Sequence, residues 1–210
     1  MRLLNVHTLA FHSFHSASTP RYAIASHRWV AGTEAAIKDV EKQRNTESLG
    51  YQKVLRFLRY VREHVPGVEW LWIDTCCIDQ KSSQEVSEAV NSMLKYYSRA
   101  AVCLAYLRDV SHCSLEAFET SEWFTRGWTL QELLAPSLVI FLSNDWNSKT
   151  LSLEQKFTWM EGRTTTREED MSYCLFGIFE IAIGSNYGEG LENARKRLLK
   201  AVTEAAAEKS

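Results

Sequence analysis

The chain has 210 residues, enough for one substantial core, with 45% hydrophobic residues, 24% charged residues and a formal net charge of -2. That balance provides no strong field to select nucleic acid or an anionic membrane. Seven Trp, eight Tyr and nine Phe against three Pro point to a dense aromatic core with few extended linkers.

In chain order, residues 1–16 (MRLLNVHTLAFHSFHS) are not a secretory signal, because three His interrupt any apolar run. No apolar stretch approaches the roughly 18 residues needed to span a bilayer. The segment YAIAS (22–26) reads as a short buried strand. Residues 50–65 place Val54, Leu55, Leu58, Val61 and Val65 on one helical face. WLWID (70–74) is a second strand. Residues 82–100 form a second helix, capped by Ser82 or Ser83, with Val86, Val90, Met93, Leu94 and Tyr97 on its apolar face. AVCLAYL (101–107) and SLVIFL (137–142) are the third and fourth strands. After Trp146 no strand is expected. Residues 164–183 read as a capped, largely buried helix with Thr165 or Thr166 ahead of an acidic first turn, SNYGEG as a turn, and LENARKRLLKAVTEAAA as an amphipathic terminal helix. Strands alternating with helices imply βαβ units and a mostly parallel sheet. The expectation is one α/β domain over 1–210, with a sheet core to about residue 146 and C-terminal helices over about 150–205.

Five cysteines form an odd set with no C-x-x-C, which fits a reduced, cytoplasmic protein without a disulfide framework. The vicinal Cys76-Cys77 pair lacks the spacing of a zinc half-site and reads as packing thiols. His12-x-x-His15 has no further ligands nearby, and no metal is expected. Arg163, Arg167 and Asp170 read as ion pairs at a helix start.

In open parallel sheets ligands bind beyond the carboxyl ends of the strands. The residues following each strand are therefore the candidates. They are His27-Arg28-Trp29 after the first, Asp74 to Asp79 at the second, Arg108-Asp109 after the third, and then WFTRGWTLQELLAP (123–136) with Arg126 and Trp128. A His, arginines, carboxylates and Trp faces on one edge suit a polar, partly aromatic ligand. Structural alternatives remain for each. His27 is equally a hydrogen-bonding strand end, and Asp74 and Asp79 are equally turn caps. Thr129 and Glu132 have the spacing of a capping box, which alone would explain that carboxylate. There is no Ser-His-Asp order, P-loop or GxGxxG.

The same segments resemble the fungal heterokaryon incompatibility (HET) domain. MRLLNVHTL, PRYAIASHRW, WIDTCCIDQ, SEAVNSMLKYYSRAAVCLAYLRDV, WFTRGWTLQELLAP, RTTTREEDMSYCLFGIF and YGEG follow the family's blocks in order, nearly end to end. Two differences stand out. Arg28 and Val30 replace a usual Thr and Gly, and the stretch between Trp146 and Arg163 is shorter than in the family. The resemblance implies a role in fungal non-self recognition and cell death. It also implies a remote similarity to TIR domains, with a flavodoxin-like sheet. In enzymatic TIR domains a Glu after the third strand is essential for cleaving NAD+, and Glu132 falls in the matching place. On that basis Glu132 is the candidate catalytic carboxylate. His27, Arg28, Trp29, Asp74, Asp79, Arg126 and Trp128 are candidate substrate-binding residues, Trp29 by stacking on a ring and Arg28 by meeting a diphosphate. NAD+ is then a substrate and no cofactor is implied. The alternative is a non-enzymatic module that self-associates or recruits signalling partners.

Overall fold

The four short strands read from the sequence pair with one another in parallel and form the centre of a seven-stranded sheet. A computed structural model describes residues 1–15, 17–111, 115–150, 164–174, 176 and 183–208. The strands are β1 (Arg2–Asn5), β2 (Phe11–Ser13), β3 (Ala23–His27), β4 (Trp70–Trp72), β5 (Val102–Tyr106), β6 (Val139–Leu142) and β7 (Ser148–Thr150), and their spatial order is β2-β1-β4-β3-β5-β6-β7. Among the parallel strands, chain order therefore runs second, first, third, fourth, which is the flavodoxin-like winding. The topological switch point lies between β3 and β5, where His27 pairs in register with Tyr106.

Three strands were not anticipated. β1 and β2 form an antiparallel hairpin that docks β1 antiparallel on β4. Its apolar residues are too few for a periodic signal, and tertiary packing supplies the rest. Leu3 and Leu4 are fully buried, and the rings of His12 and Phe14 meet Trp70 edge-on at 5.2 and 5.0 Å. His12 is thus a packing residue. β7 extends the sheet past residue 146, antiparallel to β6. Its sequence, Ser-Lys-Thr, is polar because it is an edge strand and need not bury a side chain.

The flanking helices are α1 (Ile37–Glu41), α2 (Leu49–His64), α3 (Asp74–Cys77), α4 (Ser83–Arg99), α5 (Leu115–Glu119), a 3-10 turn (Glu122–Thr125) and α6 (Thr129–Leu134). The cap expected at Ser82 is present, its hydroxyl accepting from the Glu85 N–H at 3.2 Å, and Ser48 caps α2 in the same way, accepting from the Tyr51 N–H at 3.2 Å. Strand alternation assigns the two faces of the sheet. His27 meets Phe57 of α2, whereas Ser26, one residue earlier, meets Trp123 and Glu132. So α2 covers one face, and α6, packed beside α4, covers the other. Cys76, Cys77, Cys103 and Cys174 are all buried, and none of the four is in a disulfide.

The C-terminal layer consists of α7 (Asp170–Tyr173) and α8 (Leu191–Glu208). It builds a small second core from Tyr173, Phe176, Ala194 and Leu198 against Val90 of α4. The long helix expected over 164–183 is not formed at its start. Thr164 is drawn into a backbone bridge with Arg126, and the Thr165 hydroxyl donates to the Arg167 carbonyl at 2.6 Å instead of capping a helix. Residues 175 and 177–182 of that expected helix lie outside the described residues. Arg163 does too. Arg167 sits 4.2 Å from the centre of the Tyr187 ring, whose hydroxyl donates to Asp170 at 2.9 Å.

Candidate functional site

Two polar clusters meet at the carboxyl edge of the parallel strands. The first is built on Glu132, which is 8% exposed. Its carboxylate accepts from the Ser26 hydroxyl, 106 residues away in sequence. The Trp123 indole N–H donates to the same Ser26 oxygen at 2.7 Å. An indole N–H only donates, so it occupies a lone pair of Ser26 and leaves the single hydroxyl proton for Glu132. The relay therefore has one direction, from Trp123 through Ser26 to Glu132.

This geometry replaces the capping box expected for Thr129 and Glu132. The residue before α6 is Trp128, which is already helical in φ and ψ, and no side chain caps the helix. The Thr129 hydroxyl reaches the carbonyls of Trp123 and Arg126 at 2.8 and 2.7 Å, because the preceding 3-10 turn brings them underneath it. Glu132 is freed from a local role and committed to a long-range one.

The second cluster is centred on His27, whose side chain is fully buried. Lys53 Nζ lies 2.8 Å from its Nδ1. A lysine ammonium can only donate, so Nδ1 accepts from it, and the Arg28 carbonyl lies 3.3 Å from the same nitrogen. The other ring nitrogen, Nε2, faces Asp74 Oδ1 at 3.2 Å, off the line of a straight hydrogen bond. The Trp29 indole N–H donates to the other Asp74 oxygen at 2.7 Å, and Lys53 also donates to Glu34 at 2.7 Å. The outcome is a chain Asp74, His27, Lys53, Glu34, with a carboxylate at each end and the imidazole and the lysine between them. Burial pushes the Asp74 carboxyl up, but His27, the Trp29 N–H and the charge of Arg126 hold it below its ordinary value. Burial likewise lowers Lys53 despite Glu34.

Arg126 ties the clusters together. Its guanidinium donates to the His27 carbonyl at 3.1 Å. The buried Tyr97, whose hydroxyl donates to the Ala25 carbonyl at 3.0 Å, is raised first by burial, then by the fields of Glu132 and Asp74, and is lowered by Arg126. Both carboxylates and the arginine are thus within electrostatic reach of one phenol.

Of the residues expected at this edge, His27, Trp29, Asp74, Arg126 and Glu132 come together there. Trp29 is also 40% exposed, which leaves part of its ring open. Arg28 ion-pairs with Glu122. Asp79 is engaged elsewhere. Its Oδ1 accepts from the Lys81 N–H at 3.0 Å, and its own N–H donates to Glu85 at 2.9 Å, so it acts as a turn residue. Trp128 turns toward the C-terminal layer, where it packs on the second core and lowers the Asp170 carboxyl against its burial. Ser26, Lys53, Glu34 and Trp123 were missed. Ser26 carried a usable signal, a polar residue at the end of an apolar strand. Lys53 lies between apolar helix positions and carried little.

A cleft of about 720 Å3 lined by Gly32, Thr33, Glu34, Asp39 and Asn45 adjoins the second cluster through Glu34. A cavity of about 150 Å3 lies between β1 and α4, beside the Arg2–Glu85 ion pair. Glu132 lines neither. Among the described residues no group of three or more His, Cys, Asp or Glu is placed to hold a metal ion, and no helix is long and apolar enough to cross a membrane.

Residues 22–120 match the family "Heterokaryon incompatibility protein (HET)". The chain is 39% identical over 222 residues to vegetative incompatibility protein HET-E-1 of Podospora anserina, an alignment covering 87% of this chain and 16% of that protein. The chain thus spans about one sixth of the length of this relative. No solved structure matches it. The family match covers β3 to α5, and the relative covers most of the chain. The chain belongs to the heterokaryon incompatibility (HET) protein family.

Proposed function

We propose that this domain is a signalling module of heterokaryon incompatibility and cell death, and that it acts by hydrolysing the N-glycosidic bond of NAD+. The observation that supports this most is Glu132. It is a buried carboxylate after the third parallel strand, oriented by a hydroxyl at the end of the first, on the edge where doubly wound sheets bind ligands. In the proposed reaction the bond between ribose C1′ and the pyridinium nitrogen breaks. Its electron pair goes to the ring, and nicotinamide leaves neutral, so no strong general acid is needed. Water adds to C1′ and gives up a proton, yielding ADP-ribose. The transition state resembles an oxocarbenium ion, which a fixed carboxylate stabilises. The role of Ser26 is to hold that carboxylate in one orientation. Trp29, with part of its ring open, offers a stacking surface for the nicotinamide.

Glu132→Gln tests it. The amide keeps a carbonyl to accept from Ser26, so the fold persists, while the charge is lost. Nicotinamide release should fall by at least about a hundredfold, with little change in melting temperature. Release at the wild-type rate excludes the catalytic role.

A second reading has its own support. Glu132 is already satisfied by Ser26 inside the protein, as a structural carboxylate would be. The domain is then a non-enzymatic module that self-associates or recruits partners. It predicts no nicotinamide release at high protein concentration and concentration-dependent light scattering.

A further inference from the structure

On the α2 face of the switch point the carboxyl edge carries an aromatic row that the Glu132 chemistry does not use. His27, Phe57, Tyr106 and Trp146 follow one another with ring centres 6.0, 6.1 and 4.9 Å apart along His27–Phe57, Phe57–Tyr106 and Phe57–Trp146. Trp146 stacks on Tyr106 at 4.8 Å with an angle of 22° between the rings. The backbone of Trp146 is in the left-handed region, at φ 67°. That position closes the β6–β7 hairpin and ordinarily favours Gly or Asn. A tryptophan there is strained, which is a reason to ask what the ring is for. Both Trp146 and Tyr106 remain partly exposed, and the Trp146 indole N–H is buried without an acceptor among the described residues.

Two arginines flank the row. Arg56 precedes Phe57 on α2, and Arg108 lies two residues past Tyr106. Both are exposed, neither has a hydrogen-bond or ion-pair partner among the described residues, and the charge of each is felt by Tyr106. Acids nearby are engaged. Asp145 accepts from the Ser143 hydroxyl and the Asn147 amide, and Asp109 from the Ser121 hydroxyl and the Glu122 N–H. Arg28, the residue expected to meet a diphosphate, is occupied by Glu122.

We propose that Tyr106, Trp146, Arg56 and Arg108 form the binding site for the ADP half of a dinucleotide, the rings stacking the base and the two arginines holding the diphosphate. The chemistry is a flat π-surface beside donor-rich cations, without ion-pair partners among the described residues, at a switch point, which matches a base joined to an anionic linker. As the second half of an NAD+ site it rests on the reading of Glu132 as the cleaving carboxylate, but binding by itself does not require cleavage.

The probe is ADP-ribose, titrated calorimetrically against the full chain at two salt concentrations. The Arg56→Gln/Arg108→Gln double variant, whose changes are both on exposed side chains, should bind about a hundredfold more weakly, roughly tenfold per arginine, and lose most of the salt dependence. Adenosine and inorganic diphosphate should each bind more weakly than ADP-ribose. Failure of the wild type to bind ADP-ribose, equal binding by the double variant, or equal binding of inorganic diphosphate overturns the proposal. Glu132→Gln should keep ADP-ribose binding, which separates the two readings. If the wild type cleaves NAD+ and the double variant has an unchanged KM, this site is wrong and the Glu132 role stands. If nothing cleaves NAD+ yet ADP-ribose binding depends on the arginines, this site stands and the cleavage reading falls.

Discussion

Ser26→Ala removes one oxygen and should cost far more than its size suggests. The hydroxyl serves two buried partners at once, donating to Glu132 and accepting from the Trp123 indole at 2.7 Å. A hydrogen bond to a charged acceptor contributes about 1.5–3 kcal/mol, and an indole N–H left buried without an acceptor costs about 1–3 kcal/mol. The expected loss is about 3–5 kcal/mol. For a chain of this size each 1 kcal/mol lowers Tm by about 2–4 °C, so a fall on the order of 10 °C is expected. Urea unfolding followed by tryptophan fluorescence and far-UV circular dichroism measures it directly. The same change made in a Glu132→Gln background should cost about 1 kcal/mol less, because the bond removed there is no longer charge-assisted. A loss below about 1 kcal/mol for Ser26→Ala, or strict additivity of the two changes, refutes the relay.

The Asp74 carboxyl titrates lower folded than its unfolded value of 3.8, since His27, Trp29 and Arg126 outweigh its burial. Its stabilisation is therefore present above the unfolded value and disappears as pH falls through the lower folded one. The wild type should lose more stability than Asp74→Asn between about pH 5 and pH 3, read as urea midpoints, and equal acid sensitivity would contradict the assignment. Gly50→Ala is expected to destabilise by about 3 kcal/mol, because a Cβ there would sit 2.2 Å from the Thr33 carbonyl oxygen and push α2 off the 30–36 loop. Thermal unfolding is the check. The thiols of Cys76, Cys77, Cys103 and Cys174 are buried, and Cys76 is further pushed up by its hydrogen bond with Cys77 and by burial. Alkylation at pH 7, mapped by mass spectrometry, should leave all four unmodified until the chain unfolds.

The sequence by itself determined the parallel centre of the fold. YAIAS, WLWID, AVCLAYL and SLVIFL are short apolar runs that must be buried on both faces, and the amphipathic helices between them can only cover such a sheet. It also determined which residues reach the carboxyl edge, because strand direction alone delivers His27, Asp74 and Arg108 there. Local patterns failed where a side chain had a distant alternative. The β1–β2 hairpin and β7 are edge strands whose pairing comes from neighbours and not from their own three or four residues. Thr129 and Glu132 have capping-box spacing. Yet Thr129 bonds the turn below it and Glu132 bonds Ser26, which only the crossing of β3 and α6 brings within reach. Trp29 with Asp74, Lys53 with His27, and Trp146 with Tyr106 are likewise partners 45, 26 and 40 residues apart. Periodicity reports which face a residue lies on. Which residue it meets there depends on strand order, and strand order is a property of the whole packed sheet.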